Sequence, residues 1–325
     1  MQQPPSSEQT YKNEYTEGNM KRLINIFILL VLALSLHAQN IDYAKRYRQH
    51  VARLGPAGLG IGALLDNWKK ADSTNVDMLA ARVDYYLAKA RSTEVVTKDS
   101  NTYLGQQPVL ALKDSTGTDV YYYQLLKYDD ELFGKAVAEM DNAAALHPDM
   151  LDFRFMKANA YISYEGESPD LALAYLFELI AEDNVGRRAW EYDGKKVEKG
   201  FFKEAIQEYC ATFYTLDTPA SMEAFLALSK KMSMLYPDDA AFITNVGSYH
   251  MKVKNDAKTA LKFYTKAVKK NPKDYPSVKN AVIAARKIKN VKQEKKYLTL
   301  LAEVAPEAEK AAVKARLKAL DTRKK

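Results

Sequence analysis

The chain holds one cysteine, Cys210, and four histidines, His37, His50, His147 and His250. These are the side chains best suited to nucleophilic attack, metal ligation or proton transfer near neutral pH. Each needs a partner. A cysteine becomes a nucleophile when a helix N-terminus, a cation or a histidine lowers its pKa, but Cys210 stands inside the helical run Phe202 to Phe213 with no such neighbour. It reads as a small core hydrophobe, and as the only cysteine it excludes a disulfide within the chain. Zinc binding on a helix needs histidines at i and i+4 with a glutamate between them, so that both imidazoles leave one face; the four histidines form no such pair. Serine chemistry needs a Gly-x-Ser-x-Gly elbow or a Ser-x-x-Lys motif with its partners, and neither is present. Gly58-Leu59-Gly60-Ile61-Gly62-Ala63 fits the Gly-x-Gly-x-x-Ala pattern of a dinucleotide loop. Such a loop follows a strand, whereas the preceding Tyr43 to Leu54 is charged and helical. The carboxylate pairs Asp129-Asp130 and Asp238-Asp239 fall where helices begin and suit N-capping. No catalytic residue, metal ligand or cofactor is assigned, and an enzyme assembled from parts distant in sequence stays open as an alternative.

The elements that must position everything else are helices. Hydrophobic residues make up 47% and charged residues 27% of the chain, enough for a packed core, while 13 Gly and 11 Pro leave room for long helices and disfavour a sandwich of many tight turns. Near the N-terminus, Met20-Lys21-Arg22 precedes an apolar run from Leu23 to Leu36, broken only by Asn25 and Ser35. The run is shorter than the roughly 20 apolar residues of a membrane span, so it reads as a signal peptide and not as a permanent membrane anchor. Cleavage after Ala38 leaves Gln39 as the first mature residue, and residues 1–19 read as a stretch upstream of a true start at Met20. No cysteine follows the run for lipid attachment. The expected location is periplasmic or secreted.

Pro237, Pro272 and Pro306 each follow a helical run and lie 35 and 34 residues apart. Ahead of Pro272 stand Ala260, Tyr264 and Ala267, small, aromatic and small, as a helix crossing requires; ahead of Pro148 stand Ala136, Met140 and Ala143, and after it Ala158 and Tyr161. Val246-Gly247 places an apolar and a small residue in the preceding helix, with His250 three positions on. The last pair keeps the apolar pattern through Val282, Ala285, Leu298 and Leu301 but carries Glu294 where a small residue is expected. This period and pattern resemble the tetratricopeptide repeat family, whose unit is a helix–turn–helix of 34 residues.

The resemblance implies an all-α, tetratricopeptide-like helix-turn-helix solenoid with an inserted β-hairpin. Helix pairs are predicted at 75–92 with 129–146, 151–164 with 169–183, 199–215 with 218–236, 240–254 with 256–270, and 275–289 with 291–304. Residues 39–74 form a further N-terminal helix pair around Gly55-Pro56-Ala57-Gly58, 75–306 the array, and 307–325 a polar capping helix and basic tail. Within 94–128 the helical period stops, and Val109 to Leu112 faces Val120 to Tyr123 across Asp114-Ser115-Thr116-Gly117, a hairpin pattern. Residues 183–199, with Trp190, Tyr192 and Gly194, read as a long connector.

Charge is lopsided along this array. The whole chain carries a net +7, yet Met251 to Lys325 holds 22 Lys plus Arg against 7 Asp plus Glu, which leaves residues 1–250 at −8. A basic half attracts acidic proteins, anionic head groups, acidic glycans or nucleic acid; export disfavours the last. The plainer reading is that Lys262, Lys269, Lys270, Lys292, Lys295 and Lys296 solvate outer helix faces. The signal-like run gives export, and the family resemblance implies a scaffold whose first helices line a concave groove for a protein or peptide, with no catalysis. It points to Thr244, Asn245, Ser248 and Met251, then Lys279, Asn280, Ile283 and Arg286, as partner-binding residues. The clamp that holds a chaperone's terminal carboxylate in some members needs Lys and Asn where Thr244 and Ser248 stand, so that ligand is disfavoured. The alternative is a glycan-binding helper of an envelope polysaccharide system, with the aromatic hairpin and Trp190 stacking on sugars.

Overall fold

A computed structural model of the chain describes residues 41–186 and 188–322; the signal-like run lies outside the described residues. The chain divides into two compact units between Ser73 and Thr74. In the first, α1 (Tyr43–Leu54) and α2 (Ile61–Ala71) are joined by the glycine-rich turn read from the sequence. Asp42 caps α1 by accepting from the Lys45 N–H, and Gly60 starts α2 at φ 83°, a left-handed conformation that glycine adopts without strain. Trp68 is buried and stacks on Tyr43 at 6.2 Å. A helix precedes Gly58, so the geometry of a dinucleotide loop is absent here.

The second unit is a run of antiparallel pairs: α3 (Val76–Ala90) with α4 (Asp130–Leu146), α5 (Leu151–Glu165) with α6 (Asp170–Asn184), α7 (Phe201–Leu216) with α8 (Pro219–Leu235), α9 (Ala240–Lys252) with α10 (Ala257–Lys270), and α11 (Tyr275–Lys287) with α12 (Val291–Val304). The last helix, α13 (Glu307–Thr322), packs on α12. Second helices also pack on the following pair, α8 on α9 and α10 on α11, and successive first helices α7, α9 and α11 touch. This is a tetratricopeptide-like solenoid with a β insertion. Helix starts follow the capping residues: Asp129, Asp239, Asp256, Asp274 and Asn290 each accept a hydrogen bond from a backbone N–H of the first turn. Thr218 and Ser221 form a reciprocal capping box ahead of α8, with Pro219 at its first position, where no N–H is needed.

The crossings are built from the small and aromatic residues. Ala260, Ala267, Ala136, Met140, Ala143 and Ala158 are fully buried, and Tyr264 nearly so. At the α9–α10 crossing a Cβ on Gly247 would stand 2.7 Å from the Tyr264 ring and 3.2 Å from the Ala260 carbonyl oxygen, so only glycine fits. Ala260→Leu is accordingly expected to overpack this crossing and cost about 1–3 kcal/mol. Lys262→Ala on the exposed face of α10 should stay within about 0.5 kcal/mol. Equal urea midpoints for the two variants would contradict this register.

Two segments differ from expectation. Between α3 and α4 the chain makes a three-stranded antiparallel sheet, not a hairpin alone: β1 (Arg91–Lys98), β2 (Leu110–Lys113) and β3 (Asp119–Tyr128) in the order β1-β3-β2. The predicted hairpin is β2–β3, with Leu110 opposite Tyr122; β1 adds the full ladder from Arg91 opposite Tyr128 to Lys98 opposite Tyr121. The second segment is no open connector. It contains a ribbon of β4 (Glu191–Tyr192) and β5 (Lys195–Lys196) turned by Asp193 and Gly194, both at positive φ, 51° and 67°. That is the backbone a tight hairpin turn needs.

Glu294 is explained by what meets it. It is 2% exposed on α12 and accepts from Arg286 Nε of α11 at 2.8 Å and from Arg316 Nε of α13 at 2.9 Å. A carboxylate replaces the small residue because two guanidinium groups compensate its charge and bind three helices together.

Candidate functional site

Cys210 and the described histidines each meet their own local partners, and His37 lies outside the described residues. Cys210 is buried against Ser229, and burial pushes its thiol up to about 12, which makes a thiolate inaccessible at neutral pH. His147 contacts the Thr74 carbonyl, His50 the Arg46 carbonyl, and His250 stacks on Phe263. Among the described residues no group of three or more His, Cys, Asp or Glu is placed to hold a metal.

The eight residues expected to bind a partner lie on α9 and α11, which adjoin, but the structure divides them. Thr244 is only 5% exposed and its hydroxyl lies 2.5 Å from that of Ser277, so it is withdrawn from the contact set: the next pair seals over it. Asn245 donates to Gln207 of α7 at 2.9 Å, Ser248 accepts from the Tyr264 hydroxyl, and Met251 packs partly against the C-terminal core. Lys279 donates to Tyr275 and Glu309, at 2.7 and 2.9 Å, and Arg286 is held by Glu294. These two cations therefore tie α11 to α13 and α12, and they form no free basic patch. Asn280 is half-buried, and Ile283 is 43% exposed.

A cleft on a first-helix face lies elsewhere, between α5 and α7, open to solvent and with a volume of about 510 Å³. Phe155 and Asn159 come from α5; Phe201, Glu204, Ala205, Glu208, Tyr209 and Thr212 come from α7; Tyr192 reaches in from the ribbon. The four rings form one set: Phe155 to Tyr192 is 5.9 Å between centroids, Tyr192 to Phe201 5.3 Å and Phe155 to Tyr209 6.0 Å. The Tyr209 hydroxyl donates to the Phe155 carbonyl, which fixes its ring, and burial raises that phenol well above its ordinary range. Tyr192 is 41% exposed and forms the outer wall.

What holds that wall is the ribbon's buried anchor. Trp190 is 6% exposed, stacks on Phe202 at 6.3 Å and 10°, and donates its indole N–H to Asp183 at 2.9 Å. The Arg154 guanidinium lies 5.0 Å from its ring and also reaches Glu182. Burial raises the Asp183 carboxyl, and the indole hydrogen bond pulls it partly back. The Asp193 N–H donates to both Asp152 oxygens, at 3.1 and 3.3 Å, and the Glu191 N–H to the Asp149 carbonyl at 2.8 Å. Trp190 therefore presents no face to a sugar. In the larger insertion Tyr123 is fully buried and donates to the Ser100 carbonyl, which removes it from any aromatic platform, while Tyr121 and Tyr122 are half-buried.

Of the cleft residues the sequence singled out Tyr192 alone, as part of a long connector. The legible signal is the pair Glu204 and Glu208, one helical turn apart in the predicted first helix 199–215. That Phe155 and Tyr192 join them depends on contacts across distant segments.

No family model and no curated protein matches the chain. Among solved structures it is similar to pilF of Pseudomonas aeruginosa, at 18% identity over 59% of this chain and 78% of that one, with a TM-score of 0.39. A second is the APC/C hetero-tetramer Cut9-Hcn1, at 12% identity over 93% of this chain but only 46% of that chain, with a TM-score of 0.33. A third is the TPR2AB-domain:pHSP90 complex of yeast Sti1, at 16% identity over 57% of this chain and 78% of that one, with a TM-score of 0.22. These are likenesses of backbone alone.

Proposed function

We propose that the protein is an exported scaffold that binds a protein or peptide along the first helices of its pairs, with no chemical step. One observation carries this reading. From α5 onward the first helices adjoin, α5 and α7 by sharing the cleft and α7, α9 and α11 by direct contact, and they leave a mixed set of side chains unburied. Asn159, Glu204, Glu208, Asn280 and Ile283 supply amide, carboxylate and apolar groups of the kind that recognise a polypeptide. A random peptide library selected on the whole chain tests it. Asn159→Arg or Ile283→Arg should weaken the enriched peptides by about tenfold or more, and Lys262→Ala or Lys292→Ala on the second helices should change nothing. Peptides that bind all four variants alike would overturn the first-helix reading.

The pattern from Met20 to Ala38 supports export. Protein recovered from the cell envelope or medium for this selection should begin near Gln39, and an uncleaved chain in the cytoplasm would remove export from the proposal.

A further inference from the structure

The cleft between α5 and α7 has a charge and a shape that select among peptides. Resting on the scaffold reading, we infer that it receives a lysine or arginine side chain of a basic, extended peptide. Its floor and walls are the rings of Phe155, Tyr192, Phe201 and Tyr209, with centroid separations between 5.3 and 6.0 Å where they pair. Ring faces carry negative potential and attract an ammonium or guanidinium within about 6 Å of the centroid. The methylene stem of such a residue fits against the same rings. At about 510 Å³ the cleft holds one long side chain and the backbone beside it, within the roughly 300–1,000 Å³ of ligand pockets.

The carboxylates decide the sign. Glu204 and Glu208 stand at i and i+4 on α7, on one face, where like charges repel. No cation lines the cleft, and neither glutamate makes an ion pair among the described residues. The nearby Lys203 is turned away to Asp239, at 2.6 Å. Elsewhere in the array carboxylates on the inter-helix seams are matched: Glu294 by two arginines, Glu309 by Lys279, Glu182 by Arg154 and Arg188. A leucine or phenylalanine in the cleft would satisfy the rings but strip water from two unpaired carboxylates. An acidic side chain would add a third negative charge. A cation satisfies rings and carboxylates together, and the −8 of residues 1–250 draws a basic segment toward this end of the chain.

The test uses the full chain and the peptide pool selected above. Enriched peptides should carry Lys or Arg, and replacing that residue by Leu or Glu in a fluorescein-labelled peptide should weaken binding by about tenfold or more, as read by anisotropy. Glu204→Gln with Glu208→Gln should abolish the preference for the basic over the Leu peptide and flatten the salt dependence. Its thermal melt should match the parent, since removing a like-charge pair costs no packing. Tyr192→Ala should weaken the basic peptide without unfolding the chain. Equal binding of Leu and Lys peptides, or an undiminished preference in the double variant, overturns the inference. If Ile283→Arg still blocks peptides that show no basic preference, the scaffold reading stands and this inference falls; if no peptide is enriched, both fall.

Discussion

Arg286→Ala combined with Arg316→Ala is expected to destabilise the C-terminal end of the array by about 3–5 kcal/mol, the range for stranding a buried charge. The arginines are partly exposed and lose little by themselves. The cost comes from Glu294, whose side chain is 3% exposed and would be left without a donor. Hydrogen exchange should show α12 and α13 losing protection before the earlier pairs, because a solenoid unit is held only by its neighbours. Glu294→Gln should cost less, since each freed guanidinium can turn to water. Burial alone would raise the Glu294 carboxyl, but hydrogen bonds from Arg316 and Arg286 outweigh it and hold the group below the ordinary glutamate range. Its contribution is therefore complete above the unfolded value of about 4.3 and is lost as pH falls through the lower folded value. Wild type and Glu294→Gln should converge in stability on acidification through that window, and urea melts at descending pH measure it. A gap that widens would contradict the ion-pair account.

Trp190→Ala is expected to cost about 3–5 kcal/mol, as for other buried tryptophans, and to loosen the ribbon as well. The ring fills the space against Phe202, and its N–H serves the half-buried Asp183. Arg154 would keep Glu182 but lose the ring beneath it. A surface platform for sugars would behave otherwise, changing stability by no more than about 0.5 kcal/mol. The same variant should weaken any ligand of the α5–α7 cleft, because Tyr192 is carried on the strand that Trp190 anchors. Differential melts of Trp190→Ala and Tyr192→Ala separate the anchor from the wall: the first should fall sharply and the second slightly.

The helix pairs were legible because local chemistry marks both their ends. Asp129, Asp239 and Asp274 sit at helix starts as capping residues do, and Pro272 and Pro306 follow helix ends. Ala260, Tyr264 and Gly247 show their role in spacing alone, since a close crossing admits few residue types. β1 was not legible. Arg91-Ser92-Thr93-Glu94 follows α3 directly with no alternation of apolar residues, and its strand state is decided by pairing with β3, far along the chain. The ribbon did carry a signal, Asp193-Gly194, a dipeptide favoured in tight hairpins, which its charged neighbours masked. Thr244 shows the limit for sites. Its position in the first helix was read correctly, but whether that position opens to solvent depends on how closely Ser277 of the next pair approaches. Glu204 and Glu208 stand one turn apart in a single helix, whereas two of the rings that complete the cleft, Phe155 and Tyr192, come from α5 and the ribbon.

The β insertion has a consequence for the order in which the chain assembles. The joints within the later pairs span only a few residues, so those helices find each other quickly by local search. In the first pair the whole segment 91–128 intervenes, and its two ends are brought together by Arg91 opposite Tyr128 and by the Asp129 N–H donating to the Ala90 carbonyl at 2.9 Å. Closing so long a loop costs entropy before any helix contact repays it, and the β1–β3 ladder is what shortens the search. The docking of α3 on α4 is therefore expected to follow the zipping of two strands, and pulse-labelled hydrogen exchange during refolding should show the C-terminal pairs protected before α3 and α4.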